Sequence, residues 1–271
     1  MDPRRRVGAP RGQAPRGAPR IDLDDVVYGV HAVDEALAAG EPLRTIHVGD
    51  DRKRDPVLRN LLERARLAQV PVRFESRAYF ASFPYKAHQG VVAFGEPFGY
   101  ASLDEVLARP RSGALLLVVL DHVTDPHNVG AIVRSAECAG ATAVVLPERR
   151  SAGVNPTVRK AAAGATAYLP VVRVANVAQT VRSLKKAGVW VYGAATDPGA
   201  RLYTSVDLAG DAALVIGSEG EGIAPLVKRE CDSLLALPLL GRIGSLNASV
   251  AAGILLYEAV RQRGEAAERR P

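Results

Sequence analysis

The chain has 271 residues and a formal net charge of +6, and 48% of its residues are hydrophobic, which is enough for a buried core. It has no run of about 18 apolar residues, and no hydrophobic stretch follows the N-terminal arginines, so neither a transmembrane nor a secreted protein is indicated. Cys138 and Cys231 lie in periodic apolar segments without metal-ligand spacing. We expect buried thiols in a cytoplasmic, globular protein that lacks a zinc site.

The first 24 residues are predicted to form a disordered basic arm. Prolines and glycines interrupt this segment, and its apolar content is too low to offset the entropy lost on ordering. Its positive charge comes from six arginines, and Asp2 is its only acidic residue up to position 20. The arginines are Arg4, Arg5, Arg6, Arg11, Arg16 and Arg20. Such an arm can hold a polyanion by counterion release, or it can be a solubilising tail without a partner.

Residues 25–95 are predicted to form a compact α/β unit. Helical periodicity begins at Val33 and ends near Gly40, and the elements that follow alternate in type. They are a strand at 45–48, an amphipathic helix at 56–68, a strand at 70–74, a short helix at 78–83 and a strand at 91–94.

Residues 96–112 have the composition of a linker, with one short helix that ends at Ala108. Ser102 and Glu105 have the spacing of a capping box at the start of this helix. A second domain then spans residues 113–266, and residues 267–271 form a tail. The predicted strands of the second domain are 114–120, 143–146, 167–172, 189–194, 212–216 and 234–238. Its predicted helices are 129–139, 156–163, 177–187, 224–231 and 247–263. Apolar strands separated by helices favour a mainly parallel sheet covered on both faces.

Three turns rich in glycine, serine or asparagine each follow an apolar strand of this second domain. They are residues 125–135 after 115–120, residues 217–222 after 212–216, and residues 244–249 after 234–240. Ligands of open α/β sheets bind beyond the carboxyl ends of the strands, and small residues let the backbone approach a ligand closely. The three turns therefore predict one enzyme site.

Several individual residues of these turns allow more than one interpretation. Asn128 is either a helix cap or a ligand-binding side chain, and Arg134 is either a site residue or an ordinary surface arginine. Ser245 and Asn247 are good N-cap types, so capping alone would explain them. Glu219 ends an apolar strand, where an unpaired charge is costly, so a partner is implied.

Common enzyme motifs are absent. The glycines at 217–222 match neither a dinucleotide-binding fingerprint nor a phosphate-binding loop with Gly-Lys-Ser/Thr. His122 and His127 flank Asp125 on a predicted loop without metalloprotease spacing, and they are interpreted as loop polar groups. No serine occupies a G-x-S-x-G elbow, which disfavours a hydrolase.

The three turns, in their order and spacing, resemble the SpoU or TrmH-type branch of the SPOUT methyltransferases. The matching segments are 125–135, 214–223 and 237–251, and residues 28–33 and 88–93 resemble the N-terminal domain of one subgroup. That subgroup methylates a guanosine ribose 2′-hydroxyl in the peptidyl-transferase loop of 23S ribosomal RNA. The resemblance covers about residues 26–263.

The resemblance implies an L30e-like RNA-binding domain followed by an α/β domain with a deep trefoil knot, bound S-adenosylmethionine and a homodimer that completes each site. It implies no metal and no membrane. The implied cofactor-binding residues are Ile216, Gly217, Ser218, Gly220, Leu237, Leu239 and Leu246. The implied catalytic residues are Asn128, Arg134, Glu219, Ser245 and Asn247, and Arg134 and Ser249 are implied to bind RNA. Arg242, Ile243 and Gly244 depart from the family pattern, in which smaller or polar residues are usual.

Methyl transfer to a ribose requires an in-line oxygen nucleophile whose developing charge is stabilised. Arg134 is a poor base because its guanidinium stays protonated, so we expect it to position the hydroxyl near a phosphate and to stabilise the oxyanion. The chain is thus expected to methylate a guanosine ribose of 23S rRNA. The alternatives are the same chemistry on tRNA or another rRNA nucleotide, and an RNA-binding module without catalysis.

Overall fold

The computed structural model describes residues 25–269, so the predicted basic arm lies outside the described residues. Residues 25–95 form the N-terminal unit. Its elements are β1 (Val26–Tyr28), α1 (Val30–Ala38), β2 (Leu43–Gly49), α2 (Arg59–Leu67), β3 (Val72–Glu75), α3 (Arg77–Ala81) and β4 (Val91–Gly95).

The four strands of this unit form one mixed sheet in the order β1-β4-β2-β3. β4 runs antiparallel to both β1 and β2, whereas β2 and β3 are parallel. Side chains from α1 and α2 fill one face with aliphatic residues, including Val33 and Leu61. The other face carries an aromatic cluster in which Phe80 of α3 is buried. The sheet is therefore covered on both sides.

Residues 96–269 form a larger α/β unit. Its elements are α4 (Leu103–Ala108), β5 (Leu116–Asp121), α5 (Pro126–Cys138), β6 (Ala143–Pro147), α6 (Pro156–Ala162), β7 (Val171–Val174), α7 (Val177–Lys186), β8 (Trp190–Ala194), β9 (Arg201–Leu202), β10 (Ala212–Gly217), α8 (Pro225–Glu230), β11 (Ser233–Ala236) and α9 (Ala248–Glu268). Their seven strands pair in the order β7-β6-β5-β10-β8-β11-β9, and every pair is parallel. The predicted mainly parallel sheet is confirmed.

The alternation of side chains along β5 builds two hydrophobic cores. Leu116, Val118 and Leu120 face the core under α5, α6 and α9, whereas Leu117 and Val119 face the core under α4 and α7. Because both faces are buried, the strand is apolar at every position, as its sequence indicated. This rigid layer fixes the loops at the carboxyl edge of the sheet.

The N-terminal unit rests on α6 through polar contacts that cross between the two units. The Tyr168 hydroxyl donates a 2.7 Å hydrogen bond to Glu35, and Arg159 pairs with Glu41. The Lys160 side chain lies over Gly29, whose φ of +91° and lack of a side chain leave room for it. These contacts fix the N-terminal unit against the larger one.

Several sequence-based boundaries are wrong by a few residues. α5 begins at Pro126 rather than Val129, because Asp125 accepts a hydrogen bond from the His127 N–H and caps the helix. α9 continues through Glu268, beyond the predicted end at Arg263 and into the predicted tail. The Ser102–Glu105 capping box of α4 is confirmed. Cys138 was expected to be buried but is exposed, since it lies in the last turn of α5 on the solvent side.

Candidate functional site

The site lies at the carboxyl edge of the large sheet, where four neighbouring strands end. β5 and β10 pair directly, and β10 continues to β8 and then to β11. β6 and β7, which follow β5 in the chain, lie on one side of β5 in the sheet, whereas β10, β8 and β11 lie on its other side. The strand order therefore reverses between β5 and β10. Such a switch point opens a crevice between adjacent loops.

Asn128, Glu219 and Asn247, one from each predicted turn, form a hydrogen-bonded triad. The Asn247 Nδ2 donates to Glu219 Oε1 at 2.7 Å and to Asn128 Oδ1 at 3.0 Å, and the Asn128 Nδ2 also donates to Glu219 Oε1. Asn128 is only 6% exposed. Glu219 thus has the partners that its position implied, and the structure brings the three turns together.

Asn247 also serves as the helix cap that the sequence suggested. Its Oδ1 accepts hydrogen bonds from the backbone N–H groups of Ser249 and Val250, and from the Ser249 hydroxyl at 2.6 Å. Capping and site interactions therefore use opposite ends of one amide. Asn128, by contrast, lies in the first turn of α5 and does not cap it, since Asp125 does.

A first cavity, of about 190 Å³, lies between the ends of β8, β10 and β11. All seven residues expected to bind the cofactor line it, and Ser245 and Glu219 share its wall. Sequence analysis missed other lining residues, which are Ala194, Ala195, Thr196, Glu221, Gly222, Ile223, Lys228, Leu235, Ala248 and Ala251. The small residues that follow the apolar strand β8 were a detectable signal for part of this set.

The first cavity suits a ligand that has both apolar and polar parts. A side chain at Gly217 would overlap the backbone of Gly222, whereas one at Gly220 would meet no atom within 4 Å. The loop is therefore closely folded at its base and open at its tip, where backbone groups can contact a ligand. Leu237 and Leu246 supply apolar wall, and Glu219 supplies a carboxylate. These residues fit S-adenosylmethionine, which combines an adenine ring with charged groups.

A second cavity, of about 580 Å³, adjoins the first and shares the loop 218–222 with it. Its other lining residues are His122, Val123, Thr124, Asp125, Asn128, Arg150, Ala224 and Pro225. Glu219 lines both cavities and therefore marks the boundary at which two ligands would meet. This arrangement suits transfer of a group from one bound molecule to another.

The buried carboxylate of Asp121 lies behind the second cavity, next to two of its lining residues, His122 and Ala224. Asp121 is 0% exposed, and its Oδ2 accepts a 2.7 Å hydrogen bond from the Ala224 N–H. Its Oδ1 lies 2.7 Å from the Nδ1 of His122, although this contact is not aligned as a hydrogen bond. The carboxylate thereby links the loop after β5 to the loop after β10.

Arg134 lines neither cavity of the single chain. It is exposed and forms no hydrogen bond or ion pair with any residue of 25–269. Six residues along a helix correspond to about 9 Å of rise and about 240° of net rotation, so Arg134 and Asn128 point in different directions. Arg134 therefore does not reach either cavity within one chain.

The remaining expected residues lie near the triad or outside both cavities. Ser249 contacts Asn247 and does not line either cavity. Arg242 and Ile243, which depart from the family pattern, are exposed and also lie outside both cavities. Their side chains therefore form no part of either cavity wall.

The cation of the first cavity is paired, and a nearby thiol is inert. The Lys228 ammonium forms an ion pair with Asp197 at 2.8 Å. Burial, reinforced by Asp232, raises the pKa of the Cys231 thiol to about 12, so the nucleophilic thiolate is scarce at neutral pH.

Within residues 25–269, no group of three or more histidine, cysteine or acidic residues is placed to hold a metal ion. None of the helices in that range has both the length and the apolar content to cross a bilayer.

Comparison with known proteins identifies the family. The sequence profile of the SpoU rRNA Methylase family matches residues 115–257, and the profile described as RNA 2′-O ribose methyltransferase substrate binding matches residues 26–101. The 23S rRNA (guanosine-2′-O-)-methyltransferase RlmB of Pseudomonas syringae is 43% identical over 249 residues, which is 90% of this chain and 98% of the relative. The RlmB of Coxiella burnetii is also 43% identical, over 88% of this chain and 95% of the relative.

Solved structures agree with this assignment. The SpoU methyltransferase AviRb from Streptomyces viridochromogenes, in complex with the cofactor AdoMet, is 30% identical with a TM-score of 0.73, covering 89% of this chain and 90% of that one. An AdoMet-bound rRNA methyltransferase from Sinorhizobium meliloti is 25% identical with a TM-score of 0.71, covering 87% of this chain and 86% of that one. The chain belongs to the SpoU rRNA methylase family.

Proposed function

We propose that this protein is an S-adenosylmethionine-dependent methyltransferase that methylates the ribose 2′-hydroxyl of a guanosine in 23S rRNA. The main support is the position of Glu219, which lines both cavities and accepts hydrogen bonds from two asparagines. The 43% identity to RlmB enzymes over nearly the whole chain supports the choice of substrate.

The first cavity would hold the cofactor, which supplies an electrophilic methyl group when bound. The loop 217–222 would bind it through backbone groups, and Leu237, Leu239 and Leu246 would form the apolar part of its site. The second cavity receives the target nucleotide.

Glu219 and the asparagines orient the ribose. Both amide donors bond to Oε1 of Glu219, and no hydrogen bond among the described residues uses Oε2. Oε2 is therefore available to accept a hydrogen bond from the 2′-hydroxyl and to align its oxygen for in-line attack. Ser245, on the wall of the first cavity, adds a hydroxyl near the same boundary.

A homodimer completes the site in this proposal. The helix α9 buries one face against the core and exposes Val250, Ile254, Tyr257 and Val260 along another. These residues are three or four positions apart and so share one side of the helix, where Tyr257 is 52% exposed. Leu240 and Ile243 in the preceding loop are also exposed apolar residues. A second copy would cover this surface.

Dimerisation also explains the position of Arg134. α5 packs against α9, so the unpaired guanidinium lies in the same layer as the apolar stripe. From there Arg134 can enter the site of the other subunit, where it positions the hydroxyl beside a phosphate and stabilises the developing oxyanion. RNA contact by Ser249 is part of the same proposal. Arg134→Lys should bind the cofactor nearly normally and lose most turnover, because a lysine cannot bond in the same bidentate manner.

A mixing experiment tests whether Arg134 acts across the interface. Inactive Arg134→Ala and Glu219→Ala proteins are mixed, and subunits are exchanged. If the arginine acts in the other subunit, each heterodimer regains one intact site and methylation returns. If both residues act within one subunit, the mixture stays inactive.

The domain organisation is also part of the proposal. Residues 25–95 form an L30e-like RNA-binding domain, residues 96–112 a linker and residues 113–266 the methyltransferase domain, whose C-terminal part threads a trefoil knot. The substrate-binding profile over 26–101 supports the first assignment. The passage of the chain from β11 through residues 237–247 to α9, past the loop after β10, supports the knot. We place the protein in the cytoplasm, where its free thiols stay reduced.

Methyl transfer to defined RNAs tests the proposed activity. Purified protein and labelled S-adenosylmethionine are incubated with unmodified 23S rRNA fragments or tRNA, and the product nucleosides are identified by mass spectrometry. We expect 2′-O-methylguanosine from the rRNA. Labelled tRNA would support the alternative substrate, and cofactor binding without any transfer would indicate an RNA-binding module that lacks catalysis.

A further inference from the structure

The rim of the second cavity contains two residues in a backbone conformation that is unfavourable for them. His122 has a φ of +60° and Arg150 a φ of +58°, both in the left-handed region that glycine normally occupies. Both line the second cavity. Such strain persists only where the surrounding structure enforces it, and it is concentrated at functional sites.

Two hydrogen bonds tie the loops of these residues together. The Ser151 hydroxyl donates to the Val123 carbonyl at 3.0 Å, and the Ala152 N–H donates to the same carbonyl at 3.1 Å. The loop after β6 is thereby held against the loop after β5. Arg150 is therefore presented at the cavity rim by an anchored segment rather than by a free surface loop.

Arg150 is a cation without a protein partner. It is exposed and forms no hydrogen bond or ion pair with any other residue in 25–269, whereas many arginines of the described chain pair with a carboxylate, for example Arg44 with Glu96. A free guanidinium beside a nucleotide pocket presents its donors to phosphate oxygens, which it binds in a charge-assisted manner.

We infer that Arg150 binds an RNA backbone phosphate at the rim of the second cavity, and so positions the target ribose at Glu219. The inference rests on the proposed function of this site. His122, whose ring is held beside Asp121, forms the neighbouring part of the same rim. A phosphate contact orients RNA without selecting its sequence, so base recognition lies elsewhere.

The test measures how RNA binding depends on salt. The probe is an unmodified 23S rRNA fragment that the wild-type protein methylates, and its dissociation constant is measured between about 50 and 200 mM salt. Because each phosphate contact to single-stranded RNA contributes about 0.7 to the salt slope, Arg150→Ala should lower the slope by about that amount. We expect roughly tenfold weaker RNA binding and a raised KM for RNA, with unchanged cofactor affinity.

Three further variants separate this role from a structural one. Arg150→Lys should retain most of the affinity, since a lysine ammonium also binds a backbone phosphate, as a point charge, and no in-line geometry depends on this contact. Arg150→Gly relieves the backbone strain, so it should unfold at no lower temperature than wild type and still lose RNA affinity. Arg149→Ala removes a neighbouring exposed arginine that does not line the cavity, and it should behave as wild type.

Two results would overturn the inference. One is an Arg150→Ala protein whose RNA affinity and salt slope equal those of Arg149→Ala. The other is a loss confined to one RNA sequence that lysine does not rescue, which would indicate a base contact. A wild-type protein that methylates no RNA would instead refute the proposed function. Wild-type turnover and cofactor binding are measured separately from the RNA affinity of the variants, so the two failures can be distinguished.

Discussion

Replacing Glu219 should destabilise the fold as well as the activity, because two amide donors depend on it. In Glu219→Ala, the Nδ2 groups of Asn128 and Asn247 lose their shared acceptor. Asn128 is buried, and a buried donor left without its acceptor costs about 1–3 kcal/mol. Asn247 is exposed and keeps its bond to Asn128, so its loss adds little. We expect a total loss of about 1–3 kcal/mol.

Equilibrium urea unfolding of the cofactor-free protein measures this loss. Glu219→Gln keeps a carbonyl acceptor of the same size and should cost only about 1 kcal/mol, the difference between a charged and a neutral acceptor. Glu221→Ala is the matched control, since the Glu221 side chain forms no bond among the described residues, and its change should stay within about 0.5 kcal/mol. If Glu219→Ala is as stable as Glu221→Ala, the triad does not hold the three loops together.

Three other changes follow from the same geometry. Gly217→Ala forces a side chain into the backbone of Gly222 and should abolish cofactor binding in calorimetry; normal binding would show that this loop does not form the cavity base. Gly130→Ala places a Cβ 2.6 Å from the Val158 carbonyl, at the crossing of α5 and α6, and should cost about 1–3 kcal/mol of unfolding free energy. Burial lowers the pKa of His47 even though Glu75 opposes the shift, so the unfolded state takes up the proton first and stability falls as the pH drops below about 6.5. His47→Gln should flatten the decline of melting temperature between pH 7 and 5, and an unchanged decline would contradict this reasoning.

The arrangement of the site could be predicted where local rules decide it. An acidic residue at the end of an apolar strand needs a partner, and Glu219 has two. Asn247 has a cap-type side chain before a periodic helix, and it caps α9. Small residues after parallel strands predicted a ligand cavity at the carboxyl edge, and the expected cofactor-binding residues do line one.

The strand order and the other features of the site depend on pairing between distant segments, which a local sequence pattern does not encode. The insertion of β10 between β5 and β8 brings the loops after β5 and β10 together, and it follows from packing of the whole sheet. The two-residue strand β9 has too few residues to show a period. Whether Arg134 faces a site of its own subunit or of a second one depends on the packing of α5 and on the subunit arrangement, and neither is encoded in a local pattern.

Arg150 shows a different limit. Its residue type and loop position predict only a solvated arginine, since the sequence does not reveal a positive φ in a non-glycine residue. The strain appears only when the loop after β6 is held against the loop after β5 by Ser151 and Ala152.

A crystal structure of this protein with S-adenosylmethionine tests most directly whether the three carboxyl-edge loops form one methyl-donor site. We predict density for the cofactor in the first cavity, against the loop 217–222 and beside Leu237 and Leu246, with its methyl group facing Glu219. Density at the opposite edge of the sheet, near Arg263, or a methyl group directed away from the second cavity, would contradict the account.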